Sequence, residues 1–260
     1  MINPVVLTPE SVIKYRQSYD SGLPYKHIVI DNFLTQEAAE QLHDHFPGLE
    51  KMSRSYAGLN EKKSEGSFFE QYDESFQALR KTINTTEFNA WLSKVTGIEN
   101  LYSVEDGLGC GVHQGSNGSY LDIHIDFNIH YDRNIHRRIN LLIFLNKDWK
   151  EQYGGMIEMW NANVSKLEQA YLPGYNRCVI FETNEISYHG YGKITVPEGI
   201  TRKSFYGYFY TDLRDGAAKY HDTIFKARPE EGLAKKIKTD VKETIKNNVK
   251  RIFKKVGIKI

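Results

Sequence analysis

The spacing of apolar residues divides the chain into a mixed N-terminal part, a β-rich middle and a helical tail. Residues 27–33 (HIVIDNF) alternate in a way that predicts a strand. Residues 35–45 follow as a predicted helix that begins with a threonine, a good N-cap. A second helical pattern covers residues 75–95 and ends before a glycine. Residues 51–66, rich in Ser, Lys, Glu and Gly, are interpreted as a loop.

Between residues 101 and 211 the pattern changes to short β-type runs separated by Gly, Asn, Asp and Pro. The runs are Gly111–Gln114, Tyr120–Phe127, Ile139–Leu145, Met156–Trp160, Tyr171–Leu172, Cys178–Glu182 and Ser204–Thr211. The run 139–145 (INLLIFL) is nearly all apolar, which predicts a central strand buried on both faces. We therefore predict an α+β fold: a double-stranded β-helix (jelly roll) core braced by N-terminal helices.

The tail has a helical pattern of its own. Apolar residues recur every three or four positions: Leu233, Ile237, Val241, Ile245, Val249, Ile252, Phe253 and Val256. Lysines fill the other faces, and Gly257 follows as a stop. This pattern predicts one C-terminal amphipathic basic helix.

Four segments follow from these patterns. We expect an N-terminal arm over residues 1–25, loosely packed, and a strand with supporting helices over residues 26–100. We expect the jelly-roll catalytic core over residues 101–215 and the basic helical tail over residues 216–260.

Charge and cysteine content narrow the class of protein. The chain has 34 Lys and Arg against 33 Asp and Glu, which argues against a generic nucleic-acid binder. From residue 233 onward ten basic residues face two acids, so the tail carries about +8 and the rest about −7. Two cysteines are too few for a disulfide framework and fit a reducing compartment. With no run long enough to span a bilayer, we expect a cytoplasmic protein.

His124 and Asp126 form the most informative pair in the chain. Residues two apart on a strand point the same way, so both side chains face one spot. His189, from a distant strand, would complete two histidines and one carboxylate on one face of a metal, a set that suits Fe(II) and O2 chemistry. Arg202, thirteen residues after His189, offers a cationic fork for the carboxylate of an acidic cosubstrate.

The stretch from about residue 109 to residue 211 resembles the Fe(II)/2-oxoglutarate dioxygenases of the prolyl-4-hydroxylase type. The resemblance is carried by HIDFN, RRINLLIFLNKDW, YGGMIEMW, NRCVIF, SYHG and TRKSFYGYFYT. It implies that His124, Asp126 and His189 bind Fe(II) and that Arg202 pairs with 2-oxoglutarate. It further implies hydroxylation of an unactivated C–H bond, with O2 consumed and succinate and CO2 released.

Other residues around this site are assigned by position. Ser204 and Tyr206 share a strand face with Arg202 and could donate hydroxyls to the same carboxylate. Phe144 stands where the hypoxia-factor enzymes of the family have a tyrosine, so one hydroxyl donor is missing. As further contacts to substrate or cosubstrate we select His113, Gln114, Arg138, Asn140 and Tyr191.

The sequence leaves the substrate open. We favour a small molecule or a glycan precursor, because the fuller string GCGVHQGSNGSYLDIHIDFN resembles bacterial members of the family. The alternative is a protein hydroxylase of the prolyl type, acting on a peptide. From another class, a non-catalytic jelly-roll scaffold would keep the fold without turnover, but the intact set of four residues argues against it.

The basic tail has three possible roles. Residues 233–256 could lie on an anionic membrane, which would place the protein at the inner face of a membrane. The apolar stripe could instead pack on the acidic body or on a second subunit. Nucleic acid is not expected, since the tail has one aromatic residue and one arginine. Oligomeric state is left open.

Overall fold

A computed structural model describes residues 1–213 and 219–255, with side chains described as far as residue 244. The α-helices are α1 (Pro9–Asp20), α2 (Gln36–Asp44), α3 (Glu74–Ile83), α4 (Thr86–Thr96) and α5 (Leu233–Lys255). The strands are β1 (His27–Asp31), β2 (Arg54–Ala57), β3 (Glu61–Gly66), β4 (Cys110–Gly115), β5 (Tyr120–Ile125), β6 (Ile135–Phe144), β7 (Ile157–Trp160), β8 (Leu167–Tyr171), β9 (Arg177–Glu182), β10 (His189–Tyr191), β11 (Arg202–Asp212) and β12 (Ile224–Phe225). The predicted boundary at residues 215 and 216 lies outside the described residues.

The strands form one curled antiparallel sheet in the order β1-β9-β6-β11-β4-β3-β5-β10-β7-β8. Its first five strands make a large sheet and its last four a smaller one, and β3 joins them by pairing with both β4 and β5. β2 pairs with β3, and β12 pairs with the last two residues of β5, His124 and Ile125. This arrangement confirms the predicted jelly-roll core.

The central strand β6 separates two cores. Ile139, Leu141 and Ile143 are fully buried on the face that packs against the helices. Phe144 packs on the other side with Ile157 of the smaller sheet. Alternate residues of a strand point to opposite faces, so a nearly unbroken apolar run is what burial on both faces requires. The prediction for this strand is confirmed.

Two expectations about the helical part differ from the structure. The helix predicted over residues 75–95 is two helices, α3 and α4, because the Thr85 side chain caps a new helix by accepting from the Phe88 backbone N–H at 3.2 Å. The apolar spacing continues from α3 into α4, so the pattern alone does not reveal that the first helix ends at Ile83. The arm over residues 1–25 contains α1, and Tyr19 of that helix is fully buried against the core.

The loop predicted over residues 51–66 was wrong, since β2 and β3 form a hairpin there. Its sequence lacks apolar alternation because neither face of β3 packs on the apolar core. Backbone pairing holds it instead: Ser64–Gly66 pair with β4, and Glu61 and Lys62 pair with β5.

The two cysteines, Cys110 and Cys178, are both buried and unbonded to each other. Among the described helices, none is both long and apolar enough to cross a membrane.

Candidate metal centre

His124, Asp126 and His189 meet where β5 pairs with β10, because the strand register sets His189 directly opposite His124. We call these three residues the triad. The Nε2 atom of His124 lies 3.7 Å from Asp126 Oδ1, and Nε2 of His189 lies 3.4 Å from Asp126 Oδ2. One ligand atom from each residue lies within 4.8 Å of the other two. Such spacing allows all three atoms to reach one ion.

Both histidines are oriented by their other ring nitrogen. Nδ1 of His124 donates to the Asp122 carbonyl and Nδ1 of His189 to the Ser187 carbonyl, each at 2.9 Å. A carbonyl can only accept, so the proton is on Nδ1 and the Nε2 lone pair is free for a metal. Burial, together with His189, lowers the pKa of His124 to about 3, and burial also lowers the pKa of His189. Both rings are therefore neutral ligands near pH 7.

Asp126 is held ionised although it is buried. Burial alone would raise its pKa, but the Arg137 guanidinium and the two histidines hold that pKa well below its usual range. Asn140 Nδ2 donates to Asp126 Oδ2 at 2.7 Å, and Arg137 Nη2 lies 3.2 Å from the same oxygen. Arg137 also donates to Asn140 Oδ1 and lies over the Tyr208 ring at 3.5 Å. Asn140 and Arg137 thus hold Oδ2, which also lies beside His189, while Oδ1 lies beside His124.

Beside the triad is an inner cavity, which extends into the sheet. It is lined by Lys63, His113, Leu121, Asn140, Leu142, Ile157, Gly190, Tyr191, Arg202, Ser204 and Tyr208, in addition to the triad. Arg202 is 5% exposed, and its guanidinium lies 4.2 Å from the centre of the Tyr191 ring and 4.9 Å from that of Phe144.

Arg202 forms no ion pair with any carboxylate of the described residues, and its Nε donates to the Gly155 carbonyl at 2.7 Å. Burial lowers its pKa to about 10. A buried cation without a counter-ion is costly, so the remaining guanidinium donors are suited to an anion entering the cavity.

The backbone and surroundings of Gly155 show why the second position of the double glycine in YGGMIEMW must be glycine. Its φ is +69°, and an added Cβ would lie 2.4 Å from Ile194 Cγ2 and 3.2 Å from Arg202 Cδ. Glycine is therefore required where the backbone approaches the arginine it hydrogen-bonds.

The structure brings together most of the residues selected from the sequence. Besides the triad and Arg202, four of them line the inner cavity: His113, Asn140, Tyr191 and Ser204. Tyr206 is on the same face of β11 as Arg202 but lies four residues further along the strand. It stacks on His113 with ring centres 4.4 Å apart and lines a second, outer cleft.

Gln114 and Arg138 lie outside both cavities, contrary to expectation. Gln114 Nε2 donates to Thr201 Oγ1 at 2.9 Å, on the strand face opposite His113. The pairing of β6 with β11 shifts by one residue beside Arg138. Because of this bulge, Arg137 points to the sheet face that carries Asp126, where simple alternation would have placed Arg138. Arg138 points to the other face, with its Nη2 3.5 Å from Glu182.

Three elements that the sequence analysis did not connect to the site border it as well. Lys63 of β3 lines both cavities, 3.5 Å from Glu65 Oε2, and Glu65 lies 3.6 Å from His113 Nε2. Phe225 of β12 pairs with His124, with ring centres 5.3 Å apart. Lys242 of α5 lines the outer cleft. Reading EKKSEG as a strand would have placed Lys63 and Glu65 on one face.

The outer cleft has a volume of about 900 Å³ and opens from the triad to the surface. Charged and aromatic side chains dominate its walls: Arg54, Tyr56, Lys63, Glu65, Phe68, Arg80, Asp106, Tyr131, Arg137, Tyr206, Tyr208 and Lys242. The triad therefore lies between an inner cavity that contains the buried Arg202 and a wider polar entrance.

Comparison with known proteins agrees with this geometry. The family model of the 2OG-Fe(II) oxygenase superfamily matches residues 110–210. Mouse prolyl 3-hydroxylase OGFOD1 is 26% identical over 192 residues, or 72% of this chain; the chain spans about a third of that relative's length (33%).

Two solved structures illustrate the shared fold. A prolyl hydroxylase from Trichoplax adhaerens, in complex with a hypoxia-inducible-factor peptide, has a TM-score of 0.56 and 16% identity, covering 79% of this chain and 94% of that one. HygX from Streptomyces hygroscopicus, with nickel, 2-oxoglutarate and hygromycin B bound, has a TM-score of 0.50 and 11% identity, covering 80% and 88%.

Two neutral imidazoles and one ionised carboxylate on one side of a shared point are a donor set suited to Fe(II) with open positions. The family match runs from the start of β4 to residue 210 of β11 and so includes the strands β5 and β10 that carry the two histidines. Residues 110–210, which contain the triad and Arg202, are therefore similar to the 2OG-Fe(II) oxygenase superfamily, and the chain shares its fold with the two solved structures.

Proposed function

We propose that His124, Asp126 and His189 hold the Fe(II) and that Arg202, with Ser204, binds the distal carboxylate of 2-oxoglutarate. The observation that carries this assignment is a buried guanidinium, without a carboxylate partner among the described residues, in the same cavity as three convergent ligand atoms. The triad would hold the metal, and the guanidinium would pair with a carboxylate of the cosubstrate in the same cavity.

In such a dioxygenase, the bound metal with 2-oxoglutarate and O2 would supply the oxidation of a C–H bond to C–OH, with release of succinate and CO2. The protein contributes orientation and shielding. Asn140 and Arg137 fix the Asp126 carboxylate, and Tyr191 and Phe144 cover the Arg202 guanidinium. Excluding water strengthens the pairing of that guanidinium with a carboxylate.

For the substrate we propose a small molecule or a glycan precursor that enters by the outer cleft. A volume of about 900 Å³ is in the range of sites for single small ligands. Its tyrosines and charged side chains suit a polar molecule with hydroxyl or ionic groups. Tyr208 and Arg137 would contact the part of the substrate next to the metal, since both also border the triad.

A prolyl residue of a protein is the second candidate. The supporting observation is the similarity to OGFOD1, a prolyl 3-hydroxylase, over 72% of this chain. A cleft that opens to the surface could accept a loop or an extended peptide as well as a free molecule.

The cofactor assignment is tested by adding Fe(II) and 2-oxoglutarate to metal-free protein under anaerobic conditions and recording the visible charge-transfer band. We expect a band with the wild-type protein and none with His189→Ala. Arg202→Met should keep the band but weaken 2-oxoglutarate binding about 10- to 100-fold, the effect of losing a charged hydrogen bond. Iron-bound wild-type protein without a band would contradict the assignment.

The substrate class is tested by succinate release with two fractions of a cell extract. We expect the small-molecule fraction to stimulate release above the substrate-free rate and to yield a product heavier by one oxygen. Stimulation by the protein fraction alone, with oxygen found on a proline, would instead establish the prolyl reading.

A further inference from the structure

The helix α5 packs on the body through its polar face. Lys235 Nζ lies 2.7 Å from Asp122 Oδ2, and Asp122 is 1% exposed. Thr239, one turn further, is fully buried and accepts from Asn60 Nδ2 at 2.9 Å. Glu243, one more turn along, is also buried. These positions, four residues apart, form one face of the helix.

The apolar face of α5 points away from the body. Leu233, Ile237 and Val241 are also four residues apart, and they are 73%, 54% and 52% exposed. In an ordinary amphipathic helix this apolar stripe would be the buried side. The alternative that the stripe packs on the acidic body therefore does not hold for these three residues. A row of exposed large apolar side chains is characteristic of an interaction surface.

The charges beside the stripe indicate what covers it. Lys238 and Lys242 are exposed and flank the stripe, whereas the exposed acid Asp240 pairs with Lys226 at 3.3 Å. From residue 233 to the end the sequence has ten basic residues and two acids. Two copies of so basic a helix would repel each other, while a surface with fixed negative charge would attract it.

We propose that the outward face of α5, formed by Leu233, Ile237, Val241, Lys238 and Lys242, binds the surface of a membrane rich in anionic phospholipid. The helix lies along the bilayer with its apolar side chains in the headgroup region and its lysines at the phosphates. Lys242 also lines the outer cleft, so binding places the entrance to the triad beside the membrane. The rest of the predicted stripe, from residue 245 onward, lies outside the described side chains.

The test is co-sedimentation of the full chain with vesicles of phosphatidylcholine, with and without about one-third phosphatidylserine. We expect binding only to the anionic vesicles, and weaker binding as salt is raised, because salt screens exposed charges. Ile237→Ser with Val241→Ser should reduce binding about tenfold or more by removing apolar contact. The matched control is Ile13→Ser with Leu23→Ser, which changes two apolar residues that are at least as exposed and should bind as wild type.

Two results would overturn the proposal. One is failure of the wild-type chain to sediment with anionic vesicles, or equal sedimentation of the α5 variant and the wild type. The other is a wild-type dimer in analytical ultracentrifugation that the α5 variant abolishes, without vesicle binding by either, which would assign the face to a second copy. The iron and 2-oxoglutarate band of the α5 variant reports separately whether the site is intact.

Discussion

At the scale of single residues, the charge of Asp126 depends on neighbours that the sequence does not place beside it. Arg137 is 1% exposed and shares Asn140 with the carboxylate, so cation, amide and acid form one connected set. Removing one partner of a buried ion pair is strongly destabilising, because the charge that remains is neither paired nor hydrated. The charge and orientation of the Asp126 carboxylate therefore depend on Arg137 and Asn140.

Arg137→Met should lower the affinity for Fe(II) about 10- to 100-fold, the usual cost of losing support behind a metal ligand. Without the guanidinium, the pKa of Asp126 rises and the carboxylate is held less firmly. Metal titration followed by the charge-transfer band measures this effect. Arg138→Met is the control, since Arg138 faces Glu182, and its affinity should match wild type. Equal losses in both variants would point to general unfolding instead.

Gly155→Ala should weaken 2-oxoglutarate binding about tenfold while Fe(II) binding stays near that of wild type. The methyl group would contact Ile194 and press on Arg202 at a backbone φ that favours glycine, so the guanidinium must shift by a fraction of an ångström. Gly174→Ala is the matched control, because its Cβ would have no neighbour within 4 Å. A Gly155→Ala protein with wild-type 2-oxoglutarate affinity would contradict this role.

At the scale of elements, the hairpin β2–β3 and the C-terminal segment complete a site that the jelly roll alone leaves open. β3 spans the two sheets, and β12 pairs with the strand that carries His124. α5 contacts the same strand through Asp122, whose carbonyl orients His124. The predicted tail is thus joined to the core at one strand.

Lys235→Met should loosen the first turns of α5. Asp122 would lose the cation at 2.7 Å and keep Arg228, 3.7 Å away, and the Asn60 amide. We expect amide hydrogen exchange in residues 233–244 to quicken about 10- to 100-fold, the effect of losing a charged hydrogen bond. Lys238→Met, on the exposed face, should exchange as wild type. Unchanged exchange in Lys235→Met would mean that other contacts dock the helix.

At the scale of the whole molecule, folding holds several histidines neutral. Burial lowers the pKa of His27, His43 and His113, as it does for the two triad histidines. The unfolded chain binds protons at these rings below about pH 6.5, while the folded chain does not. Stability therefore rises with pH across that range and is lost as pH falls.

His113 offers a defined window for this effect. Burial, helped by Lys63, lowers its pKa to about 4 against the influence of Glu65. Metal-free wild-type protein should lose stability as pH falls from about 6.5 to about 4. In His113→Gln the pH dependence of the free energy of unfolding should decrease by the equivalent of up to one bound proton. Urea unfolding at several pH values measures this dependence. The control His45→Gln replaces an exposed histidine and should keep the wild-type slope. An unchanged slope in His113→Gln would show that the pKa of this ring is the same in the folded and the unfolded chain.

The β-rich core, the central strand β6, the capped helix α2 and the meeting of His124, Asp126 and His189 could all be predicted from the sequence. These features are local: apolar period, capping residues and the spacing of two side chains on one strand are written in neighbouring positions. The family resemblance added order along the chain, so His189 and Arg202 could be linked to His124 before any contact was known.

The neighbours that complete the site could be identified only from the folded chain. The bulge beside Arg138 reversed the two arginines, and the polar strand β3 was recognisable only from its pairing with β4 and β5. The orientation of α5, polar side inward, likewise depends on Asp122 and Asn60, which are far away in sequence. Strand register and long-range ion pairs depend on the whole sheet, so periodicity within one segment carries no information about them.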